Sequence, residues 1–139
     1  MIELDNRTTL AVDEPFLNAI AKTLTDKEIE LIITSDEEIQ ELNATYRSID
    51  KATDVLSFPY EASPLAPLGS IVICESFVHQ KAAELGHKES DELALLFIHG
   101  LLHILGYDHE VDSGEMRQKE ESIIKSFHLP ESLIIRTQG

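Results

Sequence analysis

The chain has 139 residues, with 11 Lys and Arg against 26 Asp and Glu, a formal charge of −15, one Cys and no Trp. That length suits one globular domain that can bury a core without staples, and the lone Cys excludes an internal disulfide framework and fits a reducing cytosol. The acidity argues against a broad basic surface for nucleic acid or anionic membrane, and acidic side chains that solvate helical faces are the simplest account of it.

Met1 to Asp5 alternates apolar and acidic residues, as a short strand does. Asp13 can cap a helix with Pro15 in its first turn and Phe16, Leu17, Ile20, Ala21 and Leu24 on one stripe. Glu28 to Thr34 reads as a strand with Ile29, Leu31 and Ile33 on one face. Ser35 and Glu38 form a capping box for a helix continued by Ile39, Leu42 and Tyr46. Val55 to Phe58 is a short strand stopped by Pro59, and the Pro- and Gly-containing stretch from Glu61 to Gly69 is a loop.

Ser70 to Cys74 is the last strand, followed by a helix from Glu75 to Leu85 that Gly86 ends. A long helix starts at Ser90 or Asp91, runs through Leu105 and is closed by Gly106. Ser113 to Phe127 is a charged amphipathic helix, and the tail after Pro130 docks or frays. No repeat or linker divides the chain, so residues 1–139 are expected to form a single α+β domain. The first ten residues hold Glu3 and Asp5 and no apolar run, so no signal segment is expected. Leu93 to Leu105, the most apolar stretch, falls short of the roughly 20 residues of a membrane span and reads as a buried helix. The expected location is cytoplasmic, with no membrane partner.

The chemistry concentrates in His99-Gly-Leu-Leu-His103-Ile-Leu-Gly-Tyr-Asp-His109. Four helical residues turn about 400°, so His99 and His103 project from one face about 6 Å apart along the axis and can share one metal ion. A left-handed Gly106 lets the chain reverse and bring His109 back as a third nitrogen ligand. Three His with an open fourth position suit Zn2+, and nickel fits the same imidazoles. His79 and His128 lack such partners, and His87, after the helix-ending Gly86, reads as a loop or cap residue. The spacing matches that of metzincin proteases, where the residue after the first His is a Glu general base. Here it is Gly100, so the metal spacing is kept without the protease base. Met116 reads as a core residue and Cys74 as core packing rather than a fourth ligand.

His99 to His109 closely resembles the H-G-x-L-H-L-x-G-Y-D-H signature of the YbeY family, rRNA maturation factors also described as endoribonucleases. A second block supports the likeness: Leu42-Asn43, Arg47, Asp50 and Thr53-Asp54-Val55-Leu56-Ser57-Phe58-Pro59 follow L-N-x-x-x-R-x-x-D-x-x-T-D-V-L-S-F-P. A third, Gly69-Ser70-Ile71-Val72-Ile73, looks like G-D-I-x-I with Ser70 in place of the usual Asp, which leaves a carboxylate near the site missing. The loop from Glu61 to Leu68 also looks short, which would reduce one wall of the cleft.

The resemblance implies an α+β fold with a mixed sheet of about four strands, about five helices and a zincin-like metal helix. It also implies a hydrolase with one zinc ion that cleaves single-stranded rRNA in 16S 3′-end maturation and ribosome quality control. The matched His99, His103 and His109 would be the ligands, and Arg47, otherwise a surface or helix-end arginine, would act on the phosphodiester. Asp54, Ser57 and Asp108 are candidates for contacts behind the ligands or with substrate, and no His or Lys is placed by sequence to make Ser57 a nucleophile. The alternatives are a ribosome-assembly factor with a structural zinc and, against Gly100, a zinc protease. A charge of −15 makes long-range attraction to phosphates poor. Positive charge must then be local, at the metal, Arg47 and Lys51, with a ribosome or ribosomal protein delivering the RNA.

Overall fold

Apolar residues at alternate positions build a four-stranded sheet with both faces covered. The structure is a computed structural model, and it describes residues 1–61, 63, 65–108, 110–131 and 133. Its strands are β1 (Ile2–Asn6), β2 (Ile29–Thr34), β3 (Val55–Pro59) and β4 (Gly69–Cys74). Its helices are α1 (Glu14–Lys22), α2 (Asp36–Arg47), α3 (Glu75–Leu85), α4 (Glu89–Ile104) and α5 (Glu115–Ser126). The sheet order is β1-β2-β4-β3, with β1, β2 and β4 parallel and β3 antiparallel at one edge. The α+β class, the mixed sheet and the number of elements agree with expectation.

Ile29, Leu31 and Ile33 of β2 and Ile71 and Ile73 of β4 meet Leu17 and Ile20 of α1 and Phe97, Ile98 and Leu101 of α4 in the main core. Burying each such side chain contributes about 1.5–3 kcal/mol. The intervening positions Val72 and Cys74 of β4 pack with Leu56 of β3 and Ile39 of α2 in a second cluster on the opposite face. Helix α2 therefore covers one face of the sheet while α1 and α4 cover the other. Met116 is fully buried in the main core, as expected.

The local start and stop signals act with some changes. The Asp13 carboxylate accepts the Phe16 amide at the start of α1, and the Ser35 hydroxyl accepts the Glu38 amide at 3.4 Å. The second half of the expected capping box is absent: the Glu38 carboxylate instead takes the Thr34 hydroxyl and the Arg7 guanidinium. Gly86 and Gly106 stand at positive φ, 72° and 104°, where a side chain would be strained. Helix α5 starts later than expected because Asp112, not Ser113, holds its first turn, accepting the Gly114 and Met116 amides at 2.8 and 2.9 Å. Helix α4 starts one residue early, at Glu89. Beyond Pro130, Leu133 is buried against Leu95 and Ile124; residues 132 and 134–139 lie outside the described part.

Pro59 closes β3 rather than preceding its end. The Asp54 carbonyl accepts the Cys74 amide and the Tyr60 amide donates to the Leu68 carbonyl, so the even positions bond toward β4. Pro59, at an odd position, turns its missing N–H to the free edge, where it costs no ladder bond. No described helix is long and apolar enough to cross a membrane.

Candidate active site

The site lies where the edge strand β3 faces α4. Odd residues of β3 point toward α4, and Val55, Ser57 and Pro59 line a cavity of about 280 Å3 together with Asp54, Arg47, His99 and His103. Two stretches far apart in sequence thus meet at one cavity, including Arg47, which its residue type alone would leave as a surface or helix-end arginine. Arg47 arrives from the end of α2. Ser48, in the left-handed region at φ 59°, turns the chain there, and its amide bonds back to the Asn43 carbonyl. Asn43 is buried and its side-chain amide donates to the Lys51 carbonyl at 2.8 Å, which ties the connecting loop to α2. The Arg47 guanidinium then reaches the edge of β3 and donates one Nη2 hydrogen bond to the outward-facing Ser57 carbonyl at 3.1 Å.

His99 and His103 lie one helical turn apart, with ring centroids 4.6 Å apart and their two Nε2 atoms 3.1 Å apart. The other ring nitrogen of His99, Nδ1, is 2.7 Å from a Glu120 carboxylate oxygen on α5. Glu120 is only 3% exposed. A carboxylate at Nδ1 favours the tautomer protonated there, so that the accepting nitrogen is Nε2, the one beside His103 Nε2. A tetrahedral zinc with Zn–N of about 2.0–2.1 Å separates its nitrogens by about 3.3–3.4 Å, close to the observed gap. The pair therefore fits two corners of such an ion. His109, the third expected donor, lies outside the described residues, and among those described no group of three His, Cys, Asp or Glu converges on one point.

Glycine at position 100 has a packing reason. A Cβ there would come within 2.9 Å of Ile71 Cγ2 and 3.4 Å of Val55 Cγ2. Helix α4 approaches the sheet closely enough to bring His99 and His103 to β3, and the residue after His99 has no room for a base. Glu120 was missed in the sequence reading. Its signal was available: it falls at i+4 from Met116 and i−3 and i−4 from Ile123 and Ile124, a carboxylate on the buried stripe of α5.

Other expected residues stand elsewhere. Asp108 does not line the cavity; its carboxylate accepts the Glu110 amide at 3.0 Å and shapes the turn after α4. Lys51 is exposed in the loop after α2 and is not among the lining residues. Ser70 shares its sheet face with Val72 and Cys74, away from the cavity, so a carboxylate in its place would not line this wall. Cys74 is buried, and burial first and then its hydrogen bond to Asp36 push its thiol pKa up. His79 is half exposed beside Glu89 and Glu75. His87 is more than a loop or cap residue: its ring is buried with Nε2 2.9 Å from the Glu92 carboxylate. In the loop expected to form a reduced wall, residues 62 and 64 lie outside the described part.

Comparison with known proteins places the chain in a family. A family model described as Endoribonuclease YbeY matches residues 3–128. A protein of that name from Sulfurimonas denitrificans is 62% identical over 139 residues, covering 100% of both chains. Another from Nautilia profundicola is 61% identical over 138 residues, covering 99% of each. The solution structure of TM1509 from Thermotoga maritima superimposes with a TM-score of 0.62 at 28% identity, covering 99% of this chain and 92% of that one. With a match across nearly its whole length and relatives this similar, the chain belongs to the YbeY family.

Proposed function

We propose that the chain is a zinc-dependent endoribonuclease that cuts single-stranded RNA at the cavity of Arg47, His99 and His103, with zinc held by His99 and His103 on a zincin-like helix and by His109 as the third ligand. Membership of a family whose model and relatives carry the name endoribonuclease supports hydrolysis of RNA phosphodiester bonds as the reaction. The proposed setting is 16S rRNA 3′-end maturation and ribosome quality control in the cytoplasm, with a ribosome or ribosomal protein delivering the substrate.

The observation that supports the site most is the placing of a guanidinium and two convergent imidazoles around one cavity. His99, His103 and His109 would hold the zinc, which when bound would supply Lewis acidity toward a phosphoryl oxygen. His99 presents Nε2 as an unprotonated donor because Glu120 occupies its other nitrogen. Arg47 spends one of its five N–H donors on the Ser57 carbonyl and keeps a fork for two phosphate oxygens. That grip stabilises charge growing on the phosphorus oxygens as the bond breaks. Asp54, which lines the same cavity, is a candidate for a contact with substrate or behind the ligands, and the attacking group is either water or the RNA 2′-hydroxyl.

The test is cleavage of single-stranded against duplex RNA by nuclease-free wild type, Arg47→Ala and His103→Ala. Wild type is expected to prefer the single strand, and each variant to lose about 100-fold or more. Equal cleavage by all three would mean contamination and favour a non-catalytic assembly factor.

A further inference from the structure

The amphipathic pattern of α2 assigns Ile39, Leu42 and Tyr46 to one stripe, and the structure breaks it at the last member. Ile39 is fully buried, whereas Tyr46 is 67% exposed. Its ring does not dangle in solvent. It stands edge-on to Phe58 of β3, with centroids 5.4 Å apart and planes at 64°. Phe58 is an even residue whose ring packs on the α2 face of the sheet, across the free edge of β3 from the cavity wall of Ser57 and Pro59. Tyr46 is the immediate neighbour in sequence of Arg47, whose guanidinium crosses that edge to the Ser57 carbonyl. A braced, exposed aromatic face and a phosphate-gripping guanidinium thus flank the same free edge of β3.

We infer that Tyr46, braced by Phe58, is a base-stacking platform that holds an unpaired nucleotide beside the phosphate bound by Arg47. The inference rests on the endoribonuclease reading and adds the residue that makes the site favour single strands. A duplex keeps its bases stacked on each other, while a single strand can splay one onto an aromatic face. The charge of the protein adds to the value of such a surface, beside local positive charge and delivery by a partner. At −15, the chain cannot draw RNA through a broad field of lysines, so affinity must come from contacts that do not depend on net charge. Stacking on an aromatic ring is one, and it tolerates any base. Rigidity helps as well, since a ring already held by Phe58 loses little freedom when a base lands on it.

The chain has no Trp, so Tyr46→Trp installs a single reporter at the proposed contact. Its fluorescence is expected to be quenched, saturably, by a short oligoadenylate and not by an abasic ribose-phosphate oligomer of equal length and charge. In cleavage assays on the oligoadenylate, Tyr46→Leu should raise KM by about 5- to 100-fold with kcat within about twofold, and Tyr46→Phe should stay near wild type. Because Tyr46 is largely exposed, these variants should keep the wild-type circular dichroism and melting temperature. An unchanged KM in folded Tyr46→Leu, or reporter fluorescence indifferent to oligoadenylate, overturns the inference and leaves Tyr46 and the neighbouring exposed Ile49 as a surface for a protein partner. Quenching of the reporter without any cleavage by wild type would instead overturn the endoribonuclease reading while upholding the stacking surface.

Discussion

Replacing Glu120 by Gln probes how the protein prepares its histidines. The two side chains have nearly the same shape, so the buried packing of α5 against α4 survives. What changes is the acceptor at His99 Nδ1, now 2.7 Å from a carboxylate oxygen on a residue 3% exposed. A hydrogen bond to a charged group contributes about 1.5–3 kcal/mol where water is excluded. Losing the outer partner of a metal-binding His costs about 10- to 100-fold in metal affinity, which at about 1.4 kcal/mol per decade is about 1.4–2.7 kcal/mol. The two routes agree, so Glu120→Gln should weaken zinc binding by one to two orders of magnitude. The assay is competition for zinc against a chromophoric chelator, with Glu121→Gln as a control on an exposed neighbour that pairs with Lys125. A folded Glu120→Gln protein that binds zinc as tightly as wild type, or no more weakly than the control, would refute the reasoning.

Three further outcomes follow from the geometry. Gly69→Ala would set a Cβ 2.6 Å from the Phe58 carbonyl oxygen and 3.0 Å from Ile104 Cδ1; since backbone cannot yield there, we expect a loss of about 1–3 kcal/mol in urea unfolding, and equal stability would contradict the register of β3 on β4. The Cys74 thiol, buried and with its pKa raised by that burial, should resist iodoacetamide in the native state and react once the chain unfolds; native labelling at the unfolded rate would argue against its place in the core. The His79 pKa is raised from 6.5, first by its bond to Glu89. The pair's stabilisation is therefore complete below about pH 6.5 and lost as pH rises through the folded-state value. As both groups are about half exposed it is worth at most about 1 kcal/mol. Unfolding of wild type and Glu89→Gln should then differ at about pH 5.5 and converge at about pH 9, and a difference that grows with pH would reverse the assignment.

Much of this molecule is readable wherever the governing interaction is local. The alternation in β2, the Asp13 and Ser35 caps and the left-handed stops at Gly86 and Gly106 involve residues within four positions of each other. The i and i+4 spacing of His99 and His103 is equally local, and it brings their nitrogens together as expected. What escapes the sequence depends on partners that only folding supplies. Glu38 forsakes the capping box for Arg7, 31 positions away. Glu120 reaches His99 across 21 positions. Pro59 stays in its strand only because β3 lies at the sheet edge, a fact of strand order. Tyr46 fits the apolar stripe of α2, yet it stays 67% exposed and meets Phe58 alone in the described aromatic contacts.

The same contrast explains the charge. A net −15 excludes a generally basic RNA surface but not a small site where positive charge is concentrated. On the proposed reading, the cavity would need only one guanidinium and a cation on the imidazoles, and the inferred stacking at Tyr46 would help to hold the strand.

The most direct test is cleavage of a single-stranded oligoribonucleotide by metal-free protein as zinc is added back in sub-stoichiometric steps. The account predicts a rate that rises linearly and breaks at one zinc per chain, with no rise for His103→Ala and a zinc-saturated but inactive Arg47→Ala. Full cleavage by rigorously metal-free wild type, or zinc-dependent cleavage retained by Arg47→Ala, would contradict it.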